Sequence, residues 1–402
     1  MIVVRAFAVL LATLLAASTA FAQDAPTHED TRTQYPAFLA NSYFSINAGF
    51  ITYDFSQAQL EPGFRAGSVD VPHVVARVAL FGHEFNDYVS VQGTYMRPVR
   101  YVRYVGVNGD SGAQRVWMHY GGLTLKGRLP LTTRVSAYGE GGLAITSRHG
   151  FTMNGQTAVR DVHFASPVIG AGLEYRVSPT WSFTGGALYS PGRDSDQQPH
   201  TVAATGGFRY TMRPLPASKV EENRRSGYLF PANLVQLEYS TGYGYGVNTF
   251  VSHDIPVFWG GNVRVDRGIA LHYDRNVFHT RKVFALDFGG SVSYWRSQAN
   301  QQRFSTLSVY PLLRFFIFRT KPADIYAVYS LAGPTYISQS QIDDRNTGNH
   351  FTFQDFMGLG AYVGRSRNVS VGVKINHYSN GNILTENAGI RIPITFNLGY
   401  AF

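Results

Sequence analysis

The sequence predicts an all-β protein built from transmembrane antiparallel β-barrels, read as two eight-stranded barrels in tandem, with one sixteen-stranded barrel as the alternative. Three observations predict it. The chain opens on an export signal yet holds no later run long enough for a membrane helix, sixteen segments alternate apolar and polar residues, and the composition is rich in glycine and aromatics but poor in charge. The 402 residues are 44% hydrophobic, 14% aromatic and 15% charged, with 41 Gly and no Cys. That length suffices for about two domains, and the profile excludes a disulfide-stapled mini-protein, a zinc finger and a disordered tail. The 12 His form no HExxH or comparable spacing, so neither a metal nor another cofactor is expected. A net charge of +9 would suit nucleic acid, but there is no helix-turn-helix, zinc or RNA-binding motif. Nucleic acid is therefore not expected as a partner, and basic loops facing an anionic lipid surface account for the charge.

Residues 1–22 read as a signal peptide. Met1 to Arg5 give the positive start, Ala6 to Ala17 the apolar run, and Ala20-Phe21-Ala22 the small-x-small cleavage site. The first barrel is placed at residues 35–213, with strands at 43–55, 73–81, 88–101, 115–128, 134–148, 167–177, 181–189 and 201–212. The count is even, as a closed bacterial barrel requires. In the fifth of these strands Val135, Ala137, Leu143 and Ile145 share one face, opposite Arg134, Ser136, Tyr138 and Glu140. One face suits lipid, and the other carries charges that pair inside a narrow barrel. Arg213-Pro214-Leu215-Pro216 breaks the pattern and opens a linker, residues 214–233, with no period of either kind. Its length and polarity favour two barrels over one.

The second barrel is placed at residues 234–402, with strands at 234–246, 263–279, 284–296, 304–319, 324–338, 351–364, 369–380 and 389–402. The last strand puts Ile390, Ile392, Ile394, Phe396, Leu398, Tyr400 and Phe402 on one face. Its terminal aromatic resembles the assembly signal of outer-membrane barrels, which implies the barrel assembly machinery as a partner and the bacterial outer membrane as the destination. The turn at 365–368 is short, whereas 340–350 and 381–388 are long. Short turns lie on the periplasmic side of such barrels, so strand 369–380 rises from the periplasm and ends, near Ser379, at the outer leaflet.

That strand carries the chemistry. Val371, Val373 and Ile375 form a lipid-facing row, and the same parity puts His377 and Ser379 on the outer face. An imidazole two residues from a hydroxyl is positioned to act as its general base. Asn380 follows directly, an amide able to donate to an oxyanion, and Asn387 and Gly389 close the next loop. Taken alone, a His-x-Ser pair at a strand end also fits interfacial polar residues at headgroup level.

The segment HYSNGNILTENAGI, followed by the C-terminal aromatic strand, resembles the lipid A 3-O-deacylase (PagL) family. That family has a His-x-Ser-Asn run on the penultimate strand and an Asn-x-Gly segment before the last one, which match His377, Ser379, Asn380, Asn387 and Gly389. The resemblance extends more weakly over residues 234–402. It implies a serine esterase that removes the 3-linked hydroxyacyl chain from the lipid A of lipopolysaccharide, with Ser379 as nucleophile and His377 as base. The N-terminal half resembles only a generic small OmpA-type barrel.

One position departs from the family. Where a glutamate would orient the histidine, this chain has Arg391, so the acid must come from elsewhere. Glu386 is the first candidate and Asp355 the second. A turn centred near Arg367 would set Asp355 opposite Ser379 and Met357 opposite His377. The parity of the last strand points Arg391 into the barrel, the alternative being a headgroup contact. Two rival functions stand beside the esterase: an outer-membrane phospholipase, also built on a His-x-Ser pair, and a catalytically inactive structural or adhesive barrel.

Overall fold

A strand with one apolar and one polar face needs a different solvent on each side, and closure of the sheet supplies both. The computed structural model describes residues 31–254, 259–330 and 332–402; the expected signal peptide, residues 1–22, lies outside them. Eight strands form the first barrel: β1 (Ser42–Tyr53), β2 (Val74–Glu84), β3 (Val89–Pro98), β4 (Ala113–Pro130), β5 (Val135–His149), β6 (Val162–Arg176), β7 (Trp181–Ser190) and β8 (Thr201–Thr211). Each pairs antiparallel with the next, and β8 closes on β1 with Tyr43 opposite Thr211 and Tyr53 opposite Thr201. Eight more form the second barrel: β9 (Asn233–Ser240), β10 (Val263–His279), β11 (Phe284–Ser297), β12 (Arg303–Arg319), β13 (Ala323–Ser330, resuming as Gly333–Ile337), β14 (Phe351–Val363), β15 (Val369–Ser379) and β16 (Ile390–Ala401). Closure is again antiparallel, β16 on β9, from Leu234 opposite Ala401 to Ser240 opposite Thr395. The fold is two closed eight-stranded barrels in tandem, not one of sixteen strands.

Outward positions such as Ile46, Phe50, Leu123, Leu125, Leu143, Ile169, Leu398 and Tyr400 are exposed. Together they make an apolar belt too large for a surface in water and fitted to hydrocarbon. Among the described residues no helix is long and apolar enough to cross a membrane; the strands do the crossing. Both barrels are filled. In the first, Glu84 bridges Arg128 at 2.6 Å and Arg209 at 2.7 Å and also pairs with Arg213, while Glu140 holds Arg77 at 2.7 Å. Above them Ile51, Tyr53, Val75, Met96, Val116 and Tyr120 form an apolar plug. In the second, Arg314 meets Asp287 at 2.8 Å and His272 meets Glu238 at 3.0 Å.

Two elements differ from the sequence expectation. The linker, expected to be without period, contains the helix α1 (Ala217–Arg224). It has no apolar stripe, and its support comes from the pairs Lys219–Glu222 and Arg225–Glu221 at helical spacing. The first strand of the second barrel stops at Ser240 rather than at 246. Gly242 and Gly244 take φ of 78° and 88°, which strand backbone cannot continue through, and a short helix α2 (Tyr245–Thr249) follows.

Glu84 is buried among three guanidiniums, two of which it shares with Glu174. Glu84→Ala is expected to cost about 3–5 kcal/mol, read as a lower urea midpoint for loss of the heat-modifiable barrel band.

Candidate active site

The short β9 decides the architecture of the outer end of the second barrel. Beyond Ser240, β10 and β16 pair directly and in parallel, Val263 with Ile390 and Arg264 with Arg391. This brings Gly260 and Gly261 down onto the chain at Gly389. Gly389 has φ of 61°, and a Cβ there would lie 3.0 Å from Gly261 Cα and 3.6 Å from His377 Nε2. Only glycine fits both the conformation and the space.

His377 and Ser379 share the outer face of β15, as their parity predicts, with His377 only 1% exposed and Ser379 partly open. The imidazole Nε2 lies 2.8 Å from the Gly260 carbonyl oxygen and so donates to it. Its Nδ1 faces the Asp355 carboxylate, 3.8 Å from Oδ2. No hydrogen bond joins His377 to Ser379 among the described contacts.

The register between β14 and β15 corrects the sequence reading. Asp355 pairs with His377, Phe353 with Ser379 and Met357 with Ile375, because the turn is centred on Ser366, one residue earlier than expected, with Gly364 and Arg367 at positive φ. The one-residue change of centre moves every partner by two, so the face is kept and Asp355 lands beside His377. Its other oxygen accepts from the Ala332 amide at 2.7 Å, which fixes the carboxylate. Glu386 is exposed in the following loop, and it is its main-chain carbonyl that enters the site, accepting from Asn380 Nδ2.

A second correction concerns β16. Between Lys374–Thr395 and Asn376–Ile392 the pairing slips by one residue, so Pro393 and Ile394 together oppose Ile375. This is a β-bulge, a position where proline, lacking an amide hydrogen, is tolerated. The bulge inverts the face. Ile390 and Ile392 turn inward to pack with Tyr378 and Trp295, at 1% and 0% exposure, instead of continuing the lipid-facing row. Arg391 correspondingly points out, directly across from His377, rather than into the barrel. There its guanidinium and that of Arg264 flank the Tyr245 ring, 6.0 Å and 5.1 Å from its centroid. The Tyr245 hydroxyl donates to the carbonyls of Val265 at 2.7 Å and Arg391 at 3.2 Å, and burial holds this phenol well above its ordinary range. Gly260, Tyr245 and Arg264 are the residues sequence reasoning missed. The Gly260-Gly261 pair was a visible signal, but Tyr245 was hidden inside an expected strand.

The two asparagines organise the loop. Asn387 Oδ1 accepts from the Asn380 amide at 3.1 Å, and Asn382 donates its amide to Asn380 Oδ1 at 2.9 Å. Asn387 Nδ2 donates to Asn382 Oδ1 at 3.0 Å. The Asn380 side chain, expected from the sequence as an oxyanion donor, here donates to the main-chain carbonyls of Thr347 and Glu386 and accepts from the Asn382 amide. Among the described residues no group of three or more His, Asp or Glu could hold a metal ion.

Comparison with known proteins accords with this division of the chain. A family described as outer membrane protein beta-barrel domain matches residues 7–211, and one described as lipid A 3-O-deacylase (PagL) matches residues 267–401. The lipid A deacylase PagL of Bordetella bronchiseptica is 26% identical over 145 residues, 33% of this chain and 79% of that protein. Among solved structures, the outer membrane enzyme PagL aligns over 42% of this chain and 99% of its own at 18% identity, with a TM-score of 0.29. Ail, the attachment invasion locus protein of Yersinia pestis, aligns over the same shares at 18% identity, with a TM-score of 0.28.

Gly389→Val would force both the φ and the contact with Gly261. It is expected to lower barrel stability by about 1–3 kcal/mol, measured by the same urea titration, with the larger part of the loss confined to the outer end of β16 in hydrogen exchange.

Proposed function

The chain belongs to the outer membrane protein β-barrel domain family and is a multi-pass outer-membrane protein, and from that footing we propose that its C-terminal barrel is a serine esterase that removes the 3-O-linked hydroxyacyl chain of lipid A. One observation carries the reading. His377, Ser379 and Asp355 lie on the lipid-facing side of adjacent strands at the outer-leaflet end, with the carboxylate beside Nδ1, inside the segment matched by the lipid A 3-O-deacylase family. A fatty ester held in a bilayer reaches such a face without leaving the membrane.

Ser379 Oγ attacks the ester carbonyl as its proton passes to His377 Nε2. In the resting geometry Nε2–H donates to the Gly260 carbonyl. The reactive form is the other neutral tautomer, with the proton on Nδ1, which Asp355 favours; its free Nε2 takes the serine's proton, after which Asp355 stabilises the imidazolium. The tetrahedral intermediate collapses, the sugar oxygen leaves with the proton from His377, and water then cleaves the acyl-serine by the same route. Two residues along a strand stand about 7 Å apart, a span the imidazole covers by turning from the Gly260 carbonyl toward the serine. Asp355 is preferred over Glu386 as the acid because its carboxylate is the one next to the ring. The Arg264 and Arg391 guanidiniums, on the same face, are placed to bind an anionic phosphate of the substrate. This accounts for a cation where the family carries a glutamate.

Mass spectrometry of lipid A from expressing cells tests the reaction. Loss of one hydroxyacyl chain with the wild type and none with Ser379→Ala, both assembled by heat-modifiable migration, is the expected result; intact lipid A in both overturns it, and cleaved phospholipid would identify a phospholipase. Asp355→Asn is expected to reduce turnover roughly 10²-fold or more, with Glu386→Gln near wild type. Arg391→Ala is expected to raise KM for lipid A while leaving kcat within about twofold, the pattern of lost ground-state binding; unchanged kinetics would rule out the phosphate contact.

A further inference from the structure

Part of the outer face of the N-terminal barrel is covered. On β4 the outward positions are the odd ones, Trp117, His119, Gly121, Leu123 and Leu125, and on β5 they include Leu143, Ile145 and Ser147. Trp117, Leu123, Leu125 and Leu143 are exposed as lipid-facing residues should be, but His119 and Ser147 are only 3% and 2% exposed. What covers them is the loop that follows Ser379. Ser147 Oγ donates to the Asn382 carbonyl at 2.6 Å and lies 2.9 Å from His163 Nδ1. Asn382 Nδ2 donates to His119 Nε2 at 3.4 Å. Ile383 fills the gap left by the missing side chain of Gly121, where a Cβ would stand 3.1 Å from Ile383 Cγ1.

Asn382 is also the residue that binds both site asparagines. Its amide donates to Asn380 Oδ1 and its side-chain oxygen accepts from Asn387 Nδ2. A continuous chain of hydrogen bonds therefore runs from His119 and Ser147 of one barrel through Asn382 to Asn380, the neighbour of Ser379, in the other. Polar side chains are costly on a lipid-facing strand unless something pairs with them, and here their partner is the site loop.

We propose that the N-terminal barrel is the seat of the active-site loop: the outer face of β4 and β5 around His119, Gly121 and Ser147 holds residues 381–383 and thereby positions Asn380 and Asn387 beside Ser379. These three are positioning residues, since they reach the site only through Asn382 and Ile383. The positioning role rests on the esterase reading; the docking itself does not.

The absence of cysteine from the whole chain makes the docking directly testable. In the full-length Gly121→Cys/Ile383→Cys variant, mild oxidation of assembled protein in the outer membrane is expected to give a disulfide, seen as a mobility change reversed by reductant. The oxidised form is expected to deacylate lipid A as fast as the reduced one. Failure of the assembled variant to cross-link, or an oxidised form that recovers turnover only on reduction, overturns the proposal. Gly121→Trp, which displaces Ile383, is expected to lower kcat roughly tenfold or more. Gly127→Trp, on the same strand and face with open space around it, is the control; equal turnover in the two overturns the positioning role. If the wild type and Ser379→Ala leave lipid A alike, the esterase reading fails by itself and the cross-link still decides the docking.

Discussion

Every backbone amide and carbonyl that enters hydrocarbon must find a partner within the protein, because no water is there to take its place. An eight-stranded sheet meets this demand by closing on itself, and closure fixes the rest. It makes the strands alternate between a filled interior and lipid, so interior charges must pair as Glu84 does with its arginines, and outward polar residues must be covered or put to use. It also explains how one interrupted strand can shape a site. Where β9 ends early, the edges of β10 and β16 cannot stay unpaired, and they meet in parallel. That meeting carries the Gly260 carbonyl to His377, and Arg264 to Arg391.

Most of the fold was legible in the sequence because period-two alternation in a membrane has a single physical reading. Positions such as Val371, Val373 and Ile375 declare their face by composition alone, and His377 and Ser379 inherit it by counting. Counting fails wherever the period is interrupted without a compositional trace. The bulge at Pro393 and Ile394 is such a place: the isoleucines on either side are apolar whether they face lipid or the core, so nothing in their chemistry announces that the face has changed. Arg391 was therefore read as an interior cation when it lies across from His377. Asp355, the second candidate acid, was placed on the right face with the wrong partner. Moving a turn centre by one residue exchanges the partners of Asp355 while keeping its face, and residue types do not report that difference.

The candidate site also shows how much of its loop is held by ordinary structural means. Asn380, Asn382 and Asn387 use their amide groups on one another and on the main chain, Gly389 is required by a close approach of two backbones, and Tyr245 ties β10 to β16. These groups need never touch a substrate to matter, because the loop they hold follows Ser379 directly. Sequence comparison marks such residues together with those that react; geometry separates them.

The link between the barrels has a thermodynamic side. Among the described residues, the hydrogen bonds between the barrels at the outer end are the two to Asn382, beside Ile383 against Gly121, whereas separate proteins that stay together bury roughly 1,200 Å² or more. At the opposite end, where the short turns lie, the chain itself joins the two barrels, and Arg32 and Tyr35 ahead of the first barrel reach Asn276 and Phe278 of the second. Tethered this way, the two partners meet at an effective concentration in the millimolar range, and the entropy of bringing them together has largely been spent by the covalent connection. A contact too weak to form between two diffusing barrels can thus be occupied most of the time within one chain, which gives a physical reason for the two barrels to share a single polypeptide.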